Sequence, residues 1–179
     1  MNTINTKANL HFKCGCDFLN LNLFQLAIDS LTKAIELEPT NEKYLDKRGI
    51  AYGENEDWEH SIQDFRRALE INPENAGSWC NLGLSLYKIN RFAQAFEAYN
   101  KGIALQPDVG TFYLNRGLLY FDKGDDEKSL EDFNRAIGLD KNLSEAYALR
   151  AEVLIHMKEY KLAISSLRRL MKLEATKSN

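Results

Sequence analysis

An all-α solenoid is predicted from three observations. From Ala8 onward the chain divides every 34 residues, without gap or insertion, into five stretches: 8–41, 42–75, 76–109, 110–143 and 144–177. A fixed period of this length is the sequence signature of stacked repeats. Small residues recur at the same places in successive stretches. Apolar residues follow helical spacing, and no segment alternates with period two, so strands are not expected.

Each stretch reads as two helices that pack on one another. With positions numbered 1 to 34 in each repeat, the first repeat has Gly15 at position 8 and Ala27 at position 20. Small residues there let two helices approach closely, while Phe18 at position 11 and Leu31 at position 24 fill the space around the contact. Ala27, Ile28, Leu31, Ala34, Ile35 and Leu37 form the apolar stripe of its second helix, and Pro39 ends that helix. The second repeat uses Gly49, Tyr52, Ser61, Phe65 and Pro73 in the same places, with the stripe Ile62, Phe65, Ala68, Leu69 and Ile71. The third uses Gly83, Leu86, Ala95, Tyr99, Gly102 and Pro107. The fourth keeps Gly117, Tyr120, Ser129, Phe133 and Ala136 but has Lys141 where proline is expected. It also has Asp126 at position 17, where the other repeats carry Phe24, Trp58, Phe92 and Tyr160, so it is expected to be locally less stable. The fifth has Ala151, Leu154, Ala163 and Leu167, but Leu170 replaces the small residue of position 27 and Ala175 the proline. These two departures predict that no sixth repeat stacks there. Ile164, Leu167 and Met171 remain apolar, which marks the last helix as an interface for self-association or partner docking.

This pattern resembles the tetratricopeptide-repeat family over 170 of 179 residues. The resemblance implies helix–turn–helix units stacked into a right-handed superhelical solenoid. First helices would line a concave groove and second helices the outer wall. Residues 1–7 and 178–179 are left as short tails to a repeat domain spanning 8–177.

Composition excludes several function classes. The chain has 23 Lys plus Arg and 26 Asp plus Glu, a net charge of −3, which gives no general attraction to nucleic acid or anionic membranes. No apolar run is long enough for a transmembrane helix, and MNTINTKANLHF lacks the basic start and apolar core of a secretory signal. Three cysteines, Cys14, Cys16 and Cys80, fit a reducing, cytoplasmic setting. The Cys14–Cys16 pair has no second pair at ligand spacing, so no metal site is expected. His11, His60 and His156 fall at unrelated repeat positions and form no catalytic constellation. Carboxylates such as Glu54, Glu56, Asp57, Asp125, Asp126 and Glu127 read as solvated turns and helix caps. The expectation is therefore a protein without cofactor or catalytic activity.

Two columns of the repeat covary. Position 7 reads Cys14, Arg48, Leu82, Arg116, Arg150, and position 23 reads Ser30, Asp64, Ala98, Asp132, Ser166. Arg48–Asp64 and Arg116–Asp132 are predicted as ion pairs between the two helices of one repeat, with Leu82 against Ala98 in the third. Arg150 lacks a carboxylate at position 23 and is expected to turn to Glu152 or solvent.

By the family resemblance, positions 2, 5, 6, 9, 12 and 13 face the groove. They supply an apolar strip of Ile50, Leu84, Leu118, Tyr87 and Phe121 beside a polar ladder of Lys47, Asn81 and Asn115. An Asn amide both donates and accepts, so this mixture suits the main chain of an extended peptide or an amphipathic helix. Chaperone-binding members of the family clamp a terminal carboxylate with Lys and Asn at positions 5 and 9, Asn at 6 of the next repeat, then Lys and Arg at 2 and 6 of the third. Asn81 matches, but Asp46, Ile50, Thr111 and Asn115 stand at the other places, so that ligand is not expected. The leading reading is a scaffold or adaptor that binds a partner segment in the groove. The alternatives are an assembly subunit that joins a complex through its helix ends, and a regulatory domain of a larger protein.

Overall fold

The computed structural model describes residues 3–177, and the tails at 1–2 and 178–179 lie outside it. Ten α-helices and no strands occur among the described residues. The chain forms two compact units that divide between Ala98 and Tyr99. The first contains α1 (Thr3–Asn20), α2 (Phe24–Leu37), α3 (Glu42–Glu54), α4 (Trp58–Ile71) and α5 (Ala76–Lys88). The division falls within α6 (Phe92–Leu105). The second contains α7 (Gly110–Asp122), α8 (Asp126–Leu139), α9 (Ser144–His156) and α10 (Tyr160–Lys177). Helices α3, α5, α7 and α9 begin at the first residue of their 34-residue stretches. Residues 3–7, expected as part of a tail, form the first turn of α1.

Local chemistry sets where each helix starts and turns. The side chains of Asn41, Asp57, Asn75 and Asp125 accept hydrogen bonds from backbone N–H groups at the starts of α3, α4, α5 and α8, which satisfies donors with no partner inside the helix. The turn between the two helices of every repeat depends on one residue with positive φ at position 15. These are Asn22 (57°), Glu56 (60°), Asn90 (60°), Gly124 (75°) and Lys158 (63°). Gly adopts this geometry freely and Asn tolerates it, whereas Glu56 and Lys158 are held there against side-chain sterics.

Within each unit, helix pairs close over position 8. A Cβ on Gly15 would lie 2.6 Å from Leu31 Cγ, one on Gly49 3.1 Å from the Phe65 ring, and one on Gly117 2.9 Å from the Phe133 ring. The glycine of one helix is thus the seat for the position-24 side chain of the next. In the first unit, α2 and α3 bury Ala34, Ile35, Tyr44 and Leu45. In the second, α7, α8 and α9 bury Tyr113, Leu114, Phe133, Ala136, Ala146 and Val153.

The arginines at position 7 form crosslinks among three helices. Arg48 donates through Nε and Nη2 to the two oxygens of Asp64, at 2.7 and 2.8 Å, and through Nη1 to Thr32 Oγ1 of the preceding repeat at 3.0 Å. Arg116 repeats the arrangement with Asp132 at 2.8 and 2.7 Å and with Asn100 Oδ1 at 2.7 Å. Burial pulls the Arg48 pKa down, but the hydrogen bond and charge of Asp64 more than reverse this. For Arg116 the hydrogen bond to Asp132 is the larger effect and the result is again upward. Arg150 corrects the expectation from sequence. It turns neither to Glu152 nor to solvent alone, because Nε donates to Ser166 Oγ at position 23 and Nη1 to Asn134 Oδ1, both at 3.0 Å. A serine is long enough to accept but brings no charge, and burial leaves the Arg150 pKa lowered.

Candidate partner-binding groove

In the first unit, side chains from α3, α4 and α5 border an open cavity of about 330 Å³ lined by Ile50, Gly53, Trp58, Phe65, Asn81, Leu84 and Lys88, among others. Position 9 of α3 and of α5 supplies Ile50 and Leu84, and position 6 of α5 supplies Asn81. The floor is polar but internally satisfied. The Ser61 hydroxyl reaches the Gly49 carbonyl at 2.8 Å, the Ser85 hydroxyl reaches the Asn81 carbonyl at 3.0 Å, and the two hydroxyl oxygens lie 2.9 Å apart. A ligand therefore meets apolar walls and no unpaired group at these floor hydroxyls. Trp58 forms one wall, and Lys88 Nζ lies 5.9 Å from its ring centroid, within cation–π range. Glu54 and Glu56 complete the rim.

The structure thus brings together Ile50, Asn81 and Leu84 from the residues singled out by sequence. Lys47 lies half-buried beside Cys16. Burial pushes the Cys16 thiol pKa up, and the Lys47 charge opposes that rise. Tyr87 packs against Phe92 with ring centroids 6.0 Å apart. In the second unit, Leu118 and Phe121 pack half-buried against the core around Tyr113 and Val153, and Asn115 is also half-buried. Phe121 meets the edge of His156 at 6.3 Å. Asp126 is not a solvated turn residue: its Oδ2 pairs with His156 Nδ1 of the next repeat. A polar Asp–His contact thus stands where the other repeats place an aromatic ring. At Asp46, where a carboxylate clamp would need lysine, Ser78 Oγ donates to Oδ1 at 2.6 Å. Burial raises the Asp46 pKa, with the Ser78 hydrogen bond as the main opposing influence.

Sequence reasoning did not single out Gly53, Trp58, Ser61, Ser85 and Lys88 as cavity residues. The signal was Gly53 itself, a missing side chain at position 12, where the other repeats have Leu19, Tyr87, Phe121 and Ile155. At the far end of the second unit, Ile164 is 48 %, Leu167 39 % and Met171 70 % exposed. Met171 and Leu170 also line an open cavity of about 920 Å³ with Leu143, Ala148 and the acidic rim Asp140, Glu145 and Glu174. Elsewhere in the first unit, Leu82 and Ala98 border a cavity of about 430 Å³ with Leu69, Leu86 and Trp79. Among the described residues no three His, Cys, Asp or Glu side chains are placed to hold a metal, and no helix is long and apolar enough to cross a membrane.

Comparison with known proteins adds the following. Three sequence profiles of tetratricopeptide repeats match residues 51–90, 80–144 and 144–177. No curated protein matches in sequence. Among solved structures, MamA (residues 41 to the end) from Desulfovibrio magneticus RS-1 superposes with a TM-score of 0.83 at 21 % identity, over 97 % of this chain and 98 % of that one. Pseudomonas aeruginosa PilF gives 0.86 at 19 % identity, over 96 % of this chain and 78 % of that one. A chain of the APC/C hetero-tetramer Cut9–Hcn1 gives 0.86 at 18 % identity, over 94 % of this chain and 34 % of that one. At these identities the likeness is one of fold: an all-α solenoid of helix–turn–helix repeats.

Proposed function

We propose, from the premise that this chain belongs to the tetratricopeptide-repeat family, that it is a non-enzymatic scaffold or adaptor holding a segment of a partner protein against its first helices. The observation that carries this reading is the cavity between α3 and α5. Its walls Ile50, Leu84 and Trp58 are apolar, its floor hydroxyls are already paired, and Asn81 and Lys88 stand at its edge. Such a surface rewards an apolar side chain carried on a backbone that the Asn amide can bond. In the second unit, Asn115, Leu118 and Phe121 hold the corresponding first-helix positions and offer similar chemistry by themselves. The three free cysteines fit work in the cytoplasm.

The second reading is assembly through helix ends. It is favoured by the exposure of Met171, Ile164 and Leu167, in repeat positions where Ile28, Leu31 and Ile35 are buried. A pull-down with wild type and with a Leu84→Glu/Leu118→Glu variant separates the two. The groove reading expects partners to be lost with the variant. Partners retained by a folded variant would reject it in favour of end-on assembly, including self-association through α10.

A further inference from the structure

We infer that the cavity at Gly53 is a socket for one aromatic side chain of the partner, seated against Trp58; this deepens the groove reading and rests on it. The argument comes from comparing positions 12 and 17 across the repeats. The pairs are Leu19 and Phe24, Gly53 and Trp58, Tyr87 and Phe92, Phe121 and Asp126, Ile155 and Tyr160. Where both are aromatic, in the third repeat, Tyr87 packs on Phe92 with centroids 6.0 Å apart and planes tilted by 53°. Where position 17 is not aromatic, in the fourth, Phe121 instead finds the edge of His156 at 6.3 Å. Only in the second repeat does position 12 carry no side chain, and there position 17 is the largest ring of the column.

The space left is usable. A Cβ placed on Gly53 would lie 3.5 Å from Trp58 Cζ3 and 3.4 Å from Ser61 Oγ, which is ordinary contact without a clash. A group entering from outside along that line therefore meets the indole directly. The cavity, about 330 Å³, lies at the small end of the range of roughly 300–1,000 Å³ for ligand sites. It takes a single side chain and not a packed helix. Leu84 and Ile50 offer aliphatic contact on the remaining sides, and the paired floor hydroxyls ask for no polar partner. An aromatic ring satisfies all of this. It supplies Trp58 with the ring contact that Tyr87 supplies to Phe92, with Lys88 at the rim 5.9 Å from the indole centroid.

The test uses the full chain, ¹⁵N-labelled, titrated with N-acetyl-L-phenylalaninamide and separately with N-acetyl-L-alaninamide. The expected result is that the phenylalanine amide shifts the Trp58 indole N–H and the Gly53 and Leu84 backbone amides, while the alanine amide does not. The Trp79 indole N–H, bonded to the Pro73 carbonyl at 2.8 Å, serves as the internal control and stays in place. Gly53→Leu fills the socket from within and should weaken the response by about tenfold. Gly53→Ala leaves most of the space and should retain it, which guards against a folding defect in the larger variant. Equal shifts from both amides, no shift from either, or an undiminished response in Gly53→Leu would overturn the socket. Failure of the wider reading looks different. Partners kept by a folded Leu84→Glu/Leu118→Glu variant reject the groove, whereas partners lost by that variant but kept by Gly53→Leu leave the groove standing and remove the socket alone.

Discussion

The second and fourth repeats share a frame and differ in what is mounted on it. Both carry the same arginine crosslink, Arg48 to Asp64 and Arg116 to Asp132, each with its closest contact at 2.7 Å. Both seat an aromatic ring, Phe65 or Phe133, over a glycine. At the turn they part. The second has Gly53, Glu56 and Trp58, and the fourth has Phe121, Gly124 and Asp126. One leaves a cavity beside a large ring, and the other closes the place with its own phenylalanine and an Asp126–His156 bridge. They differ also at position 5. The second repeat sets half-buried Asp46 against Ser78, where the fourth has Leu114 in one apolar cluster with Ala146. The frame answers to stability and repeats; the fittings answer to local use and do not.

The largest effect should fall on the shared frame. Asp64→Ala and Asp132→Ala each leave a half-buried guanidinium without its carboxylate, and each should lower unfolding free energy by about 2–3 kcal/mol. Urea denaturation checks this. A loss no larger than that of a change at exposed Glu59 would show that the crosslink is ornamental and the two repeats are alike for another reason.

A smaller, opposed pair of effects belongs to the turn. Glu56→Gly relieves a side chain held at φ 60° and should gain about 1 kcal/mol, whereas Gly124→Glu imposes the same constraint at φ 75° and should lose about 1 kcal/mol. Thermal melts of the two variants should move in opposite directions. Movement in the same direction would mean that the turn residues are not equivalent.

The smallest effect concerns the polar pair. Burial raises the Asp46 pKa above its usual value, so its ionised form is less favourable in the folded chain than in the unfolded one. The resulting penalty is present in full above the raised folded pKa and vanishes as pH falls below the unfolded value. Asp46→Asn should therefore be more stable than wild type near neutral pH, by less than about 1 kcal/mol, and the gain should shrink toward about pH 4. Denaturation at both pH values tests the sign, and a gain that grows on acidification would contradict it.

Much of this was legible in the chain. The period placed the helices because each repeat solves the same packing problem, and position 8 reads as small because the position-24 side chain sits on it. The Arg–Asp pairs were legible because both partners change together down two columns. The third partner was not read, although Thr32, Asn100 and Asn134 share position 25. A neutral hydroxyl or amide is common on any helix surface and carries little signal. Ser166 was missed for the same reason. Glu56 and Lys158 gave no sign of a left-handed turn, since neither is a residue that favours one. The Asp126–His156 bridge spans 30 residues, beyond the reach of any pattern within one repeat. Gly53 was legible only as a missing side chain in its column. That its absent side chain exposes Trp58 follows only from the packed helices.

The crosslinks also bear on how such a chain changes in length over evolution. Each position-7 arginine ties its own repeat to the one before, through Thr32, Asn100 or Asn134. A duplication or deletion that cuts at residue 42, 110 or 144 separates a half-buried guanidinium from one of its acceptors. At residue 76 no arginine crosslink is severed, because Leu82 holds position 7; a cut there parts Asp46 from Ser78 and Ser61 from Ser85, and Arg66, at position 25, from Gln94. The boundary between the second and third repeats is thus held by serine hydroxyls in place of an arginine crosslink, so a copied module entering there strands no guanidinium.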